Sequence, residues 1–184
     1  MLSKMVSKER VVIYIDGSNF YFSIKKFNLK IDIEKFCKKL AENSGIEKIN
    51  YYIAPIKRSN NPNGYSAQQK FFNRLRKIEK LNIIFGRLEK RKNVDIVYYV
   101  EKGSDVNLSL DLVLDAQKGL YDKAFLVSND GDFSSAVSSA IGFGKEVIYI
   151  AVGNNKTISH HLKKVATSTI NINKDFLSDL KLEE

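Results

Sequence analysis

The chain has 184 residues, 43% of them apolar, and a formal net charge of +9 from 30 Lys and Arg against 21 Asp and Glu. That length suits one domain with a core of its own, and no apolar stretch approaches the roughly 18 residues a membrane helix requires. The charged amino terminus MLSKMVSKER lacks the apolar segment of a signal peptide, so a cytoplasmic location is expected, and the single cysteine, Cys37, excludes an internal disulfide.

Residues 11–16 (VVIYID) read as a buried strand ending in Asp-Gly. Ser18 and Asn19 are good N-cap types, which predicts a helix over about 20–27. A second helix is expected over 32–43, where Ile33, Phe36, Cys37 and Leu40 repeat at helical spacing; Cys37 then reads as a buried structural thiol. Residues 48–54 form the next strand, Pro55 stops it, and the segment to Gly64 has loop composition. Over 67–80, Phe71, Leu75 and Ile78 face one way and basic residues the other, the pattern of an amphipathic helix. Residues 82–85 look like a strand, 86–93 a basic excursion, and 94–100 a strand or strand extension leading to a sheet edge.

Residues 106–118 are apolar nearly all round, which predicts a well-buried helix. A strand over 123–128, a helix over 133–141 and a strand over 145–152 follow. A short helix over 158–165 and a final strand near 168–172 complete the pattern, and the last dozen residues suit a loosely held helix. Alternation of this kind implies right-handed crossovers and a mainly parallel central sheet with helices on both faces. The expected organisation is an extension over 1–10, one α/β domain over 11–172 and a tail over 173–184.

In such a sheet, ligands sit beyond the carboxyl ends of the strands, where the strand order switches. Asp16 closes the first strand, Asp130 and Asp132 follow another within Asn-Asp-Gly-Asp, and Asp105 opens a helix. All four are expected at one edge. Asp111 is less determined: six residues of helix carry it about 9 Å and roughly 240° from Asp105, unless the helix begins only near Asn107. Asp115, a further turn down, is expected to be solvated. Each acid also has a plainer explanation, as a turn residue (Asp16), a helix cap (Asp132) or a helix-start carboxylate (Asp105). Carboxylates that converge raise one another's pKa, and a divalent cation with oxygen ligands is the common relief. Such an ion suits phosphodiester hydrolysis. Asn19 is placed to orient a carboxylate, and Ser128 to bond a phosphate oxygen or cap the turn.

The excess of positive charge favours a polyanionic partner. Lys57, Arg58, Arg74, Lys77, Arg87, Lys90, Arg91 and Lys92 crowd the middle of the chain and are expected to track a nucleic-acid backbone, with Tyr65 a candidate for base stacking. His160 and His161 are adjacent, do not share a helix face and read as surface residues. No P-loop, dinucleotide fingerprint or nucleophile elbow is present.

Three segments, IDGSN, KGSDVNLSLD and LVSNDGDF followed by GKEVIYIAV, together resemble the NYN domain family over about residues 11–170, and more narrowly its LabA-like branch within the PIN-like nuclease superfamily. The resemblance implies a Rossmann-like, PIN-type three-layer fold and a Mg²⁺- or Mn²⁺-dependent ribonuclease centre. Asp16 and Asn19 match the acid and asparagine of the first motif. Lys102, Asp105 and Asp111 match the second, and Ser128, Asp130, Asp132 and Phe133 the third. Asp16, Asp105, Asp130 and Asp132 are then the expected metal ligands, with Lys102 and Ser128 joining the RNA surface. Asn129 stands where the family often has glycine, which is expected to put a side chain near the metal pocket.

The implied partner is single-stranded or structured RNA, with no membrane; a homodimer is left open. Two alternatives accompany this reading. One is a catalytically weak RNA-binding or regulatory module on the same fold. The other is a phosphatase-like hydrolase with an aspartate nucleophile, disfavoured because no second Asp lies two residues after Asp16.

Overall fold

The computed structural model describes residues 8–42, 44–94, 96–153 and 157–182. In chain order the elements are β1 (Arg10–Asp16), α1 (Gly17–Lys25), α2 (Ile33–Ala41), β2 (Gly45–Ile53), α3 (Pro62–Leu75), β3 (Leu81–Phe85), β4 (Arg87–Asn93), β5 (Ile96–Lys102) and α4 (Ser104–Gln117). There follow β6 (Lys123–Val127), a 3₁₀ turn (Gly131–Phe133), α5 (Ser134–Gly142), β7 (Glu146–Val152), α6 (His160–Val165), β8 (Ser168–Ile172) and α7 (Lys174–Ser178). Six strands pair in the order β3-β2-β1-β6-β7-β8, every pair parallel.

Side-chain alternation along β1 explains why both faces of this sheet are covered. Val11, Ile13 and Ile15 enter one core with Phe20, Phe36 and Phe72 from α1, α2 and α3. Val12 and Tyr14 enter a second core with Leu108, Leu112, Val137 and Leu162 from α4, α5 and α6. The result is the expected mixed α/β architecture, a parallel sheet between two helical layers.

Several boundaries differ from expectation for local reasons. Helix α1 starts at Gly17 rather than at 20, because the Asp16 carboxylate itself caps it, accepting from the Asn19 amide at 3.1 Å. Helix α3 starts at Pro62, within the segment of loop composition, because Asn61 caps it and Pro62 occupies the first turn, where its missing N–H is harmless. The expected end of α2 at Asn43 lies outside the described residues. Segments 86–93 and 94–100 do not extend the sheet; β4 and β5 form a separate antiparallel hairpin.

Helix α4 is buried on one side only: Leu108, Leu112 and Ala116 face the core, whereas Val106, Leu110 and Leu114 stand exposed at intervals of four residues. The carboxy-terminal tail is anchored by Leu177 and Leu180, both buried, and by a bridge between Ile31 and Lys181. Cys37 is buried as expected, and burial pushes its thiol pKa up. Of the expected 1–10 extension, residues 1–7 lie outside the described residues and Arg10 already belongs to β1; in the tail, 183–184 lie outside them too. Among the described residues no helix is long and apolar enough to cross a membrane.

Candidate active site

From β1 the sheet grows in one direction through β2 and β3, and from β6 in the other through β7 and β8. The gap between the carboxyl ends of β1 and β6 is therefore the switch in strand order. Asp16 is the last residue of β1 and only 7% exposed. Its Oδ1 accepts from the Asn19 amide at 3.1 Å and its Oδ2 from the Ser128 hydroxyl at 2.8 Å. Both donors are neutral. Gly17 allows the sharp entry into α1, since a Cβ there would lie 2.6 Å from the Tyr52 carbonyl oxygen on β2.

The loop after β6 is clasped to the loop after β1. The Asn129 amide donates to Asn19 Oδ1 at 3.0 Å, the Asp130 amide to Ser128 Oγ at 3.1 Å, and the Asp132 amide to Asp130 Oδ1 at 3.0 Å. The Asn129 side chain turns toward β7 rather than toward the acids. It donates to the Val152 carbonyl at 2.7 Å and accepts from the Tyr149 hydroxyl at 2.8 Å. It braces the loop and does not obstruct the edge.

Asp105 is in the first turn of α4, two residues after Gly103, whose φ of +88° suits glycine. Glu101, on β5, accepts hydrogen bonds from the hydroxyls of Ser18 on α1 and Ser104 on α4. This acid was not anticipated from the sequence. The available signal was its place immediately before Lys102-Gly103-Ser104-Asp105, but its orientation depends on a hairpin the sequence pattern left unresolved.

Burial is the largest influence on Asp16 and pushes its pKa up to about 6. The hydrogen bonds from Asn19 and Ser128 oppose the rise, and the charges of Asp105 and Glu101 add to it. Asp105 is likewise raised, first by desolvation and then by Asp130, Glu101 and Asp132. Five carboxylates thus share one electrostatic neighbourhood. Their hard oxygens match the chemistry of Mg²⁺ or Mn²⁺. Among the described residues, however, no three His, Cys, Asp or Glu side chains stand close enough to hold one ion. Asp105 and Asp132 are exposed and Asp130 half-buried, so these side chains have the freedom to close around a cation, whereas Asp16 is fixed.

Other expected residues are placed differently. Asp111 is half-buried and accepts from the Tyr52 hydroxyl at 2.7 Å, which holds it against β2. Asp115 is not solvated: it is 6% exposed and accepts from the Tyr14 hydroxyl at 2.8 Å and Lys48 Nζ at 2.5 Å. Ser128, expected on the RNA surface, is 2% exposed and committed to Asp16.

Lys57 and Arg58 are exposed in the loop that leaves the acid edge after β2. Arg74, in the last turn of α3, and Lys77, just beyond it, are exposed where the chain returns to the start of β3 and so away from the acids. Arg87, Lys90, Arg91, Lys92 and Lys102 gather on the β4–β5 hairpin. Tyr65 is half-buried, while His160 and His161 are exposed as expected. A cavity of about 400 Å³ lined by Cys37, Ala41, Ile46, Ile49 and Ile78 opens by the start of β2, remote from this chemistry.

The sequence matches the family described as NYN domain over residues 10–173. Among solved structures, a protein of unknown function from Vibrio parahaemolyticus superposes with a TM-score of 0.72 at 26% identity, covering 96% of this chain and 99% of that one. A mutant of the T5 5'-exonuclease aligns with a TM-score of 0.42 at 14% identity, over 77% of this chain and 50% of that chain. MurG of Acinetobacter baumannii scores nearly the same, 0.41 at 12% identity, over 89% of this chain and 41% of that chain. Likeness at this lower level therefore does not separate one activity from another. None of the curated proteins matches the chain.

Proposed function

The chain belongs to the NYN domain family, and from that footing we propose that it is a divalent-metal-dependent endoribonuclease of PIN-like, LabA-like type, acting on single-stranded or structured RNA in the cytoplasm. The observation that carries the reading is the electrostatics of the acid edge. Asp105 lies 89 positions after Asp16 (105 minus 16), yet its charge raises the pKa of Asp16, Glu101 raises both, and Asp130 and Asp132 raise Asp105. A basic chain that concentrates its acids at the switch point of its sheet has a place for a cation and a polyanion side by side.

Asp16, Asp105, Asp130 and Asp132 are the residues that would hold Mg²⁺ or Mn²⁺. When bound, the ion would supply a Lewis acid that lowers the pKa of water and offsets charge on the scissile phosphate. The chain's own contribution is positional. Ser128 and the Asn19 amide fix both oxygens of Asp16, and Asn19 Oδ1 ties the two loops together. Exposed cations around the edge, Lys57, Arg58, Lys90, Lys92 and Lys102, would neutralise RNA phosphates on either side.

Labelled RNA incubated with Mn²⁺ tests the reading. Cleavage should require the ion, stop in EDTA and fall by more than about 100-fold in Asp16→Asn, a loss larger than that of an outer partner of a metal ligand. Persistence in EDTA, or full activity in Asp16→Asn, would contradict it. One observation favours the alternative, a weakly catalytic RNA-binding or regulatory module: no three acids stand within ligating distance of a common point among the described residues. That alternative expects salt-dependent RNA binding with no cleavage in Mn²⁺.

A further inference from the structure

The β4–β5 hairpin stands outside the six-stranded sheet and pairs only with itself. Two-stranded ribbons are marginal in water unless something covers a face. This one leaves Val94, Ile96, Val97, Tyr98 and Tyr99 exposed, between 39% and 80%. Exposed aromatic and apolar side chains in such density mark a binding surface.

Strand alternation sorts the hairpin into two unlike faces. Glu101 fixes the orientation of one, because it accepts from Ser18 and Ser104 at the acid edge. Tyr99 and Val97 follow Glu101 at intervals of two and share its face. Their cross-strand partners do so as well: Leu88 opposite Glu101, Lys90 opposite Tyr99 and Lys92 opposite Val97. Two residues of strand span about 7 Å, so Tyr99 and Lys90 stand one short step from the carboxylates. The other face carries Arg87, Glu89 and Arg91 with Tyr98 and Ile96. There Arg87 and Arg91 lie 3.0 and 2.8 Å from Glu89, which leaves Lys102 as the cation of that face outside the cluster. Lys90 and Lys92 make no ion pair among the described residues.

We propose that the β4–β5 hairpin is a guiding arm for single-stranded nucleic acid, with Tyr99 stacking on an unpaired base and Lys90 and Lys92 holding the adjoining phosphates. The inference rests on the RNA reading above and adds the form of substrate and the residues that select it. Stacking on Tyr99 needs an exposed base face, which a duplex does not offer. A second copy of the hairpin laid on the same face would set its own Lys90 and Lys92 against these ammonium groups, a costly arrangement. Phosphates supply the missing charge.

The test is fluorescence anisotropy of a labelled 12-nucleotide oligouridylate and of a 12-base-pair RNA duplex, with the full chain in EDTA so that binding is read without cleavage. Tyr99→Ala should weaken oligouridylate binding about tenfold, Tyr99→Phe should retain it, and duplex binding should change little. Lys90→Ala with Lys92→Ala should lower the slope of log affinity against log salt by about 1.4, two single-strand phosphates at roughly 0.7 each. Tyr98→Ala, on the opposite face, should stay within twofold. Equal losses for Tyr98→Ala and Tyr99→Ala, or none for Tyr99→Ala, overturn the arm while leaving the nuclease reading intact. A Tyr99→Ala variant that changes from dimer to monomer with unaltered RNA affinity assigns the face to a second copy and also overturns it. Tyr99-dependent binding without cleavage in Mn²⁺ upholds the arm and removes the nuclease, whereas a wild-type chain that binds no oligouridylate but cleaves RNA in Mn²⁺ overturns the arm alone.

Discussion

Asp16, at the end of β1, and Asp115, on α4, are two almost buried carboxylates, 7% and 6% exposed. Asp115 is answered by a cation: Lys48 Nζ lies 2.5 Å away, and the Tyr14 hydroxyl completes the arrangement at 2.8 Å. Among the described residues Asp16 receives only a serine hydroxyl and an amide, and its charged neighbours are Asp105 and Glu101. Burial opposes charge in both places, and among the described residues only one place supplies the counter-charge. The difference separates a carboxylate that holds the fold together from one that is arranged for an external cation.

The comparison predicts opposite responses to substitution. Asp115→Asn removes the partner of the half-buried Lys48 ammonium, so it should destabilise the fold by about 2 kcal/mol in urea unfolding, with cleavage per folded molecule unchanged. A loss below 1 kcal/mol would mean that the pair is not a fixed part of the core. In contrast, the fold should tolerate Asp16→Asn and gain stability in EDTA, since an unpaired buried charge is removed.

The pH dependence of Asp16 sharpens the contrast. Its folded pKa of about 6 is above the usual value near 4, so the native state holds the proton more tightly than the unfolded chain. In EDTA this contribution is fully present below pH 4 and is lost as pH rises through 6, a loss of at most about 3 kcal/mol for so buried a group. Mn²⁺ at pH 7 should restore the melting temperature, and should do so far less in Asp16→Asn. Melting curves in EDTA that stay flat between pH 4 and 7 would contradict the assignment.

Ser128→Ala probes the same carboxylate more gently. Removing the hydroxyl leaves one oxygen of Asp16 without its donor, which should raise the pKa of Asp16 further and lower cleavage and Mn²⁺ affinity by about tenfold. The cleavage rate should then reach its plateau at a higher pH than in wild type. The smallest effect belongs to Arg10 and Asp122, 2.7 Å apart but both over 40% exposed at the side chain. Hydrogen bonds from Arg10 hold Asp122 down to about 2, so this pair stabilises above pH 4 and loses its contribution as pH falls toward 2. Asp122→Asn should cost less than about 1 kcal/mol at pH 7, measured by urea unfolding.

The acid edge was legible in the sequence because its placement follows from chain order alone. Asp16 ends a strand, Asp130 follows one and Asp105 starts a helix, and a doubly wound sheet delivers all three to one side. What was not legible depended on pairings between distant segments. Asp115 was misplaced because its partner Lys48 lies 67 positions away and no local pattern joins them. Glu101 was missed because the direction of a strand side chain is set by the partner strand, and β4 and β5 pair with each other rather than with the sheet. The apolar surroundings suggested for α4 failed for a related reason: composition cannot tell core-facing Leu112 from outward Leu110 without knowing which stripe the sheet covers. At α3, a real start signal, Asn61 followed by Pro62, was outweighed by the loop composition around it.

A crystal of the protein soaked in Mn²⁺ and measured for anomalous scattering examines the need of Asp16 for a borrowed cation most directly. A peak at the carboxyl ends of β1 and β6, bound by Asp16 with Asp105, Asp130 or Asp132, is the predicted result. Manganese elsewhere or nowhere, with Asp16 still held only by Ser128 and Asn19, would contradict it.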